Sequence, residues 1–382
     1  MNKIISHDVY NLNADRARSN SGSFINNAFF SGFWHINSPT QLNHKDDSLF
    51  WKLVDSHHEG RYKLLTQKLL NNTVTAEEKV LIEKLISGYE QFCRSFGLPF
   101  TVKASAIWSG LYQARVLERC YLPSLDAKSS KKNSNFLGKN RSGLPQIIPF
   151  VSDRPLAGHV VYEIGPGSGF LTAILALKGC TVLSVETVQS HYCYQSAFYE
   201  MLFGDDFYEC AHDSSFDYKS SIRGNVIHLP WWKVLDFKSS ALPKADLVTS
   251  NHMLMECSEF AVNHYMALIN FLLKDGGEWV FEGLGQMYRG GATYDQLLEK
   301  TQRYGFAVHD LREIFGHFGV WVITKSQLNY LFDNPKGSSL NLFIDELAVK
   351  YPDHCPECKK RISNETWLEM IDEGDSFQNF GI

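Results

Sequence analysis

No stretch of the chain reaches the roughly 18 consecutive apolar residues that a membrane-crossing helix needs, so no membrane partner is expected. A surplus of positive charge is missing too: 37 Lys and Arg stand against 42 Asp and Glu, a formal net charge of −5. A general nucleic-acid binder presents a basic face with interleaved aromatics, and none is visible, so no nucleic-acid partner is expected. Cysteine is too sparse for a disulfide framework, with eight in 382 residues. Cys93, Cys120, Cys180, Cys193, Cys210 and Cys257 are dispersed in mostly apolar contexts and read as reduced core residues. His354-Cys-Pro-Glu-Cys358 holds half of a four-ligand zinc site, but no second C-x-x-C exists. These read as plain tail cysteines, and no metal is expected. The opening MNKIISHDVYNLNADRARSNSGSF has no apolar h-region and no small-residue cleavage site, so a cytoplasmic location is expected. What is present is an ordinary globular composition, 44% hydrophobic and 21% charged. The length suits two domains, or one with a large extension.

The first 40 or so residues are polar and rich in Asn and Ser, with aromatic islands at Phe29, Phe30, Phe33 and Trp34. They are expected to be irregular and to drape over another part of the protein. From Ser48 to Cys120 the pattern is helical, opened by Leu49, Trp51, Leu53 and Val54. Thr75-Ala-Glu-Glu78 is a capping box, and Val80, Leu81, Ile82, Leu85, Ile86 and Tyr89 follow near i, i+3, i+4 spacing. A further helix is expected over Ala104–Arg119. Residues 124–145, SLDAKSSKKNSNFLGKNRSGLP, are polar and basic and read as a solvated linker. The alternative is a gate, or an anion contact through Lys128, Lys131, Lys132, Lys139 and Arg141.

Beyond His159 the rhythm alternates. Strands are expected over His159–Ile164, Cys180–Glu186, Asn225–Leu229, Ala245–Ser250 and Glu278–Phe281. Helices are expected over Phe170–Lys178, Gln189–Phe203 and Glu259–Lys274, with another opening at the capping box Thr293–Gln296. Two closing strands, Phe306–Arg312 and Val320–Thr324, have no helix between them, which implies one antiparallel member. The expected fold is α/β: a Rossmann-like, doubly wound, mostly parallel sheet of seven strands, one of them antiparallel, with a helical N-terminal region. Residues 1–150 form that helical region, 151–330 the α/β domain, and 331–382 a helical or irregular tail.

The stretch VYEIGPGSG, residues 161–169, is the chemical signal. A phosphate loop needs Lys-Ser or Lys-Thr after its last glycine, and none follows Gly169. A dinucleotide loop needs a third glycine three residues after its second. Counting from Gly165 puts Phe170 there, and counting from Gly167 puts Thr172 there. The remaining template, an acid followed by G-x-G-x-G, is met at every fixed position by Glu163-Ile-Gly165-Pro-Gly167-Ser-Gly169. Glycines let a backbone approach a ligand without a Cβ collision, and the start of the following helix favours a carboxylate. The second strand ends in an acid, Glu186, which can accept both hydroxyls of a ribose.

With these residues the chain resembles the class I S-adenosylmethionine-dependent methyltransferases. The segment ADLVTSNHMLMEC and the turn Lys274-Asp-Gly-Gly-Glu-Trp-Val-Phe281 resemble that family's fourth and fifth strands, in the same order. The resemblance covers about 159–325. A narrower resemblance to sugar O-methyltransferases lies in EIGPGSGFLTAILALKG, Ser190-His-Tyr-Cys-Tyr-Gln195, Pro230-Trp-Trp-Lys233 and Ser250-Asn-His-Met-Leu-Met-Glu256. It implies S-adenosylmethionine as cofactor and a small-molecule acceptor, a sugar or glycoside hydroxyl. A small amine as acceptor, or a cofactor-binding interaction protein without turnover, are the alternatives. The helical N-terminal region would cover the site, contact substrate, or pair two copies in a homodimer.

The same resemblance assigns roles. Glu163, Gly165, Pro166, Gly167, Ser168 and Gly169 would hold the cofactor, with Glu186 and Thr187 at its ribose and Asn251 beside it. The family's usual acid after the third strand is absent, since that strand runs into His228-Leu-Pro-Trp-Trp, so Trp231 or Trp232 would stack on the adenine instead. Methyl transfer to a hydroxyl calls for a general base, and His252 and Glu256 after the fourth strand are the candidates. A loop histidine bonding a carbonyl and an acid suited to a helix start are their structural alternatives. Tyr192, His228 and Glu282 are the substrate candidates.

Overall fold

β-Branched and apolar residues fill the segments around 160–164, 181–186 and 226–230, and strands of that composition are stable only with both faces covered. The computed structural model describes residues 5–21, 74–97, 104–119, 137–139, 145–147, 155–213, 223–234, 241–251, 259–283, 307–310 and 319–324, with a few single positions between them. In chain order the elements are helices α1 (His7–Ser21), α2 (Ala76–Ser95) and α3 (Ala104–Arg119), strands β1 (Leu137–Lys139) and β2 (Pro145–Ile147), then β3 (Val160–Ile164), α4 (Phe170–Leu177), β4 (Thr181–Glu186), α5 (Gln189–Phe203), β5 (Phe207–Glu209), β6 (Val226–Pro230), β7 (Ala245–Asn251), α6 (Glu259–Leu272), β8 (Leu273–Gly283), β9 (Ala307–Asp310) and β10 (Gly319–Thr324).

The main sheet has the order β5-β6-β4-β3-β7-β8-β10-β9. Pairs from β5 to β8 are parallel, while β10 runs antiparallel to both β8 and β9. The seven expected strands are therefore there, with one antiparallel member. The short edge strand β5 makes an eighth, unforeseen because three residues carry no readable period. The chain order reverses at β3, whose neighbours are β4 and β7. Ligands of open parallel sheets bind at such a switch point, beyond the carboxyl ends of the strands. β1, inside the segment expected to be a linker, forms a separate antiparallel pair with β2, which starts at that segment's last residue, Pro145.

Side chains alternate between two cores along each strand. Tyr162, Ile164, Leu183, Val185, Ile227 and Leu229 join one cluster with α6 and the buried residues of α1. Val161, Val182, Val226, Leu247 and Val280 join the other with α2, α3 and α4. The expected helices over 76–95 and 104–119 are thus an added layer on the α4/α5 side. Helix α3 approaches α4 closely at Gly110, where a Cβ would come within 2.7 Å of Ile174 and 3.2 Å of the Leu171 backbone nitrogen.

The capping box forms as expected: Thr75 Oγ1 accepts from the Glu78 N–H at 3.1 Å, and Glu78 Oε2 accepts from the Thr75 N–H at 2.9 Å. Glu78 has a second task. Arg115 of α3 reaches it with Nε at 2.7 Å and Nη2 at 2.5 Å, a two-pronged pair with both side chains largely buried.

The opening of the chain corrects the sequence reading. His7–Ser21 is helical, not irregular. Ser6 Oγ accepts from the Val9 N–H at 3.2 Å and starts it. Tyr10, Ala14 and Ala17, at i, i+4 and i+7, are buried on one face. The small alanines weaken the hydrophobic period, so the face shows only once it is docked. Docked it is: Tyr10 packs on Tyr192 and Trp232, and Asn13 Nδ2 donates to the Ala211 carbonyl at 2.6 Å. The expectation that this region drapes over another part of the protein is met by α1, which lies on Tyr192, Ala211 and Trp232. The box at Thr293–Gln296, the tail 331–382 and the Cys355/Cys358 pair lie outside the described residues.

Removing one partner of a buried, hydrogen-bonded pair leaves the other charge uncompensated, at a cost of roughly 3–5 kcal/mol. Glu78→Ala also removes half the capping box. It is expected to destabilise the protein by at least about 3 kcal/mol in urea unfolding; a loss under about 1 kcal/mol would show that α2 is held to α3 by apolar packing alone.

Candidate functional site

Strand β3 delivers the chain into the turn 165–169, which leads into α4. Gly165, Gly167 and Gly169 have φ of 73°, 56° and 76°, a left-handed backbone that other residues adopt at a cost of about 1–2 kcal/mol. The Gly165 N–H donates to the Val185 carbonyl at 2.9 Å, tying the turn to the end of β4. The two outer sides of the turn differ. A Cβ on Gly165 would collide with Met253, just past β7. A Cβ on Gly167 would meet no atom within 4 Å, so the backbone there borders open space. Gly169 caps α4 without a side-chain hydrogen bond.

Two acids lie at the ends of the neighbouring strands β3 and β4. Glu163 is buried, and its Oε2 accepts from the Thr172 hydroxyl; the Thr172 backbone N–H supports the same carboxyl. Burial pushes the Glu163 carboxyl up to about 7, and the nearby charge of Glu186 adds to the push against the help from Thr172. Glu186 is also buried. Its Oε1 accepts from the backbone N–H groups of Thr187 and Val188, each at 2.8 Å, and its Oε2 accepts from Gln195 Nε2 at 3.1 Å. Burial raises this carboxyl, while those three donors pull it back. His191 Nδ1 lies 3.8 Å from Glu186, but burial lowers that imidazole to about 4, so it brings no positive charge near neutrality.

A buried polar chain continues from Glu186. Gln195 Nε2 also donates to the Gly167 carbonyl at 2.6 Å, and Gln195 Oε1 lies 3.0 Å from His228 Nε2. His228 Nδ1 faces Glu209 Oε2 at 3.6 Å. Glu209 Oε1 meets the Tyr192 hydroxyl and the Ala211 N–H, the latter at 2.8 Å. The Tyr192 ring stacks on His228 with centroids 3.8 Å apart.

Several expected site residues take different places. Trp231 and Trp232 follow β6 in a short 3-10 turn and are both fully buried, packed edge to face on each other. Tyr10 of α1 covers Trp232. Neither offers a face to a ligand here; the dipeptide promised aromatics at the end of the third strand, but the turn folds both into the core. Tyr192 and His228, expected at substrate, are fully buried members of the polar chain. Asn251 ends β7 half-buried, two residues past Thr249, which lies opposite Glu163; Thr249 Oγ1 is 3.4 Å from Asn251 Oδ1. Glu282 is in register with Asn251 near the end of β8. His252 and Glu256 lie outside the described residues. Among the described residues no cluster of His, Cys, Asp and Glu suited to a metal occurs, and no helix is long and apolar enough to cross a membrane.

The sequence reading missed Thr172, Gln195, Glu209 and Met253. The signal for Thr172 was a polar residue in the otherwise apolar helix α4, whereas Gln195 is one of several buried polar residues of α5, with Gln189, His191 and Ser196, and no pattern singled it out.

No protein-family model matches the chain, and no curated protein matches it. Solved structures do. A TehB-like SAM-dependent methyltransferase from Corynebacterium glutamicum is 18% identical with a TM-score of 0.33, over 44% of this chain and 81% of that one. An O-methyltransferase family protein from Burkholderia thailandensis is 16% identical with a TM-score of 0.32, over 44% of this chain and 51% of that one. The magnesium protoporphyrin IX methyltransferase of Synechocystis, with bound SAM, is 12% identical with a TM-score of 0.34, over 66% of this chain and 99% of that one.

Glu163 makes stability depend on pH. Its ordinary value is 4.5 and its folded value about 7. Between those values the unfolded chain releases a proton that the folded chain keeps, so stability falls as pH rises from 4.5 to 7 and levels off above. Glu163→Gln removes this dependence. Relative to wild type, the variant is expected to gain about 2 to 3 kcal/mol between pH 5 and pH 8 in urea unfolding. Parallel pH profiles would show that the carboxyl ionises freely.

Proposed function

We propose that the protein binds S-adenosylmethionine at the turn 165–169 and transfers its methyl group to a hydroxyl of a small molecule, with sugars and glycosides as the acceptor class. The observation that carries this reading is the left-handed glycine turn at the sheet's switch point, open above Gly167 and flanked by two buried acids with no Lys or Arg partner among the described residues. Those features suit a ligand with positive charges and a ribose. The open face at Gly167 takes the ligand against bare backbone. Glu186, fixed by two backbone N–H groups, offers its remaining lone pairs to ribose hydroxyls. Glu163 supplies negative charge below the turn, and the first turn of α4 suits a carboxylate.

When bound, S-adenosylmethionine supplies a methyl group already activated on a sulfonium. The protein's part is then alignment of the acceptor and removal of its proton. Asn251 and Glu282 are in register near the ends of β7 and β8; Asn251 is the proposed neighbour of the cofactor and Glu282 a proposed acceptor contact. His252 and Glu256 are the proposed bases, on the segment between β7 and α6.

Calorimetry distinguishes the nucleotides. S-adenosylmethionine is expected to bind the wild-type protein and NAD is not. Glu186→Ala should weaken binding at least tenfold. Gly167→Ala should abolish binding while lowering stability by only about 1 to 2 kcal/mol, because the new Cβ enters the ligand's space and not the protein's. Tight NAD binding without S-adenosylmethionine binding sinks the reading. Release of S-adenosylhomocysteine in a screen of sugar nucleotides, glycosides and small amines then identifies the acceptor.

A further inference from the structure

Gln195 lies on α5, fully buried, and is the one described side chain that bonds both the glycine turn and the acid at the end of β4. We propose that Gln195 is a positioning residue that sets the Glu186 carboxylate and the Gly167 carbonyl for the adenosyl ligand, and that His228 behind it fixes which way its amide points. The proposal rests on the methyl-donor reading.

The direction of the amide follows from its partners. The Gly167 carbonyl and an ionised Glu186 can only accept, so the NH2 side of Gln195 must face them, at 2.6 Å and 3.1 Å. Its oxygen then faces His228 Nε2 at 3.0 Å, and that nitrogen must carry a proton. A histidine with the proton on Nδ1 alone would set two lone pairs against each other. The ring cannot swing away, because Tyr192 stacks on it with an interplanar angle of 8°. On its far side Nδ1 faces Glu209 Oε2 at 3.6 Å.

The consequence lies at Glu186. One of its oxygens is held by the N–H groups of Thr187 and Val188, and the other by Gln195. Without Gln195 the carboxylate keeps only the first anchor and can rotate about it. The same loss frees the Gly167 carbonyl at the point where the turn borders open space. Gln195 thus couples the two loops that a ribose and a methionine would touch. Glu186, His191, His228, Glu209 and Tyr192 are the titratable groups along this chain, with Tyr199 beside it at Gly169 and Glu163 near Glu186.

The test is S-adenosylhomocysteine binding by calorimetry at pH 6 and pH 8, on wild type, Gln195→Glu and His228→Phe, with thermal unfolding as the check on folding. In Gln195→Glu an ionised carboxylate faces Glu186 and a carbonyl, whereas its protonated form can still donate. Binding at least tenfold weaker than wild type at pH 8, narrowing toward wild type at pH 6, supports the proposal. So does a several-fold loss in His228→Phe, measured at a temperature where thermal unfolding shows that variant to be folded. Equal affinities of wild type and Gln195→Glu at both pH values overturn it, and so does an equal loss at both. If Gln195→Glu does not fold, Gln195→Met keeps the length without the hydrogen bonds: a tenfold loss supports the proposal and unchanged affinity overturns it. Wild type that binds no S-adenosylhomocysteine overturns the methyl-donor reading, and this proposal with it.

Discussion

A carboxyl group taken out of water must find a positive charge, donors enough to replace its hydration, or a proton. Glu163 and Glu186 face that requirement side by side at the ends of β3 and β4, and no described Lys or Arg answers it. Much of the local architecture is a response. The start of α4 gives Glu163 the Thr172 hydroxyl and N–H. The turn between β4 and α5 gives Glu186 two backbone N–H groups, and the second turn of α5 gives it the amide of Gln195.

The response reaches beyond these acids. Gln195 needs a donor for its oxygen, and His228 supplies it. His228 in turn faces Glu209, and Glu209 needs Tyr192 and the Ala211 N–H. The Ala211 carbonyl takes Asn13 of α1. A helix near the start of the chain is thereby connected, through hydrogen bonds and the one 3.6 Å contact between His228 and Glu209, to the edge of the glycine turn. Chains of buried polar groups of this sort are all-or-none: satisfied they fix one arrangement, and half-satisfied they are worse than an apolar core.

What the sequence disclosed follows from the same physics. The alternation of strand and helix from 159 to 324 was legible because two-sided burial demands near-continuous apolar strands, and Gly179 and Gly204 follow the ends of α4 and α5 with positive φ. The motif 163–169 was legible because left-handed φ admits glycine almost alone. Helix α1 was not, since Ala14 and Ala17 give its apolar face little contrast and its stability comes from docking on Tyr192 and Trp232. Trp231, Trp232, Tyr192 and His228 were legible as residues near the carboxyl end of the sheet, but not as inward-facing ones. The direction of a side chain at a strand end is set by one turn of backbone, and no period records it.

The identity of residue 163 bears on function by a simple comparison. A glutamine there would accept the Thr172 hydroxyl as well as a glutamate does, without the penalty of burying an ionisable group. As a buried partner for Thr172, the acid carries a burial cost that glutamine would not, and its carboxyl stays near half-protonated at neutral pH. An arrangement that lowers stability in the free protein is retained where function draws on it. In the proposed reading, a ligand with an ammonium and a sulfonium supplies the positive charge that Glu163 and Glu186 lack. Binding then converts a destabilising pair of acids into a stabilising one, and ties affinity for the ligand to the charge state of Glu163.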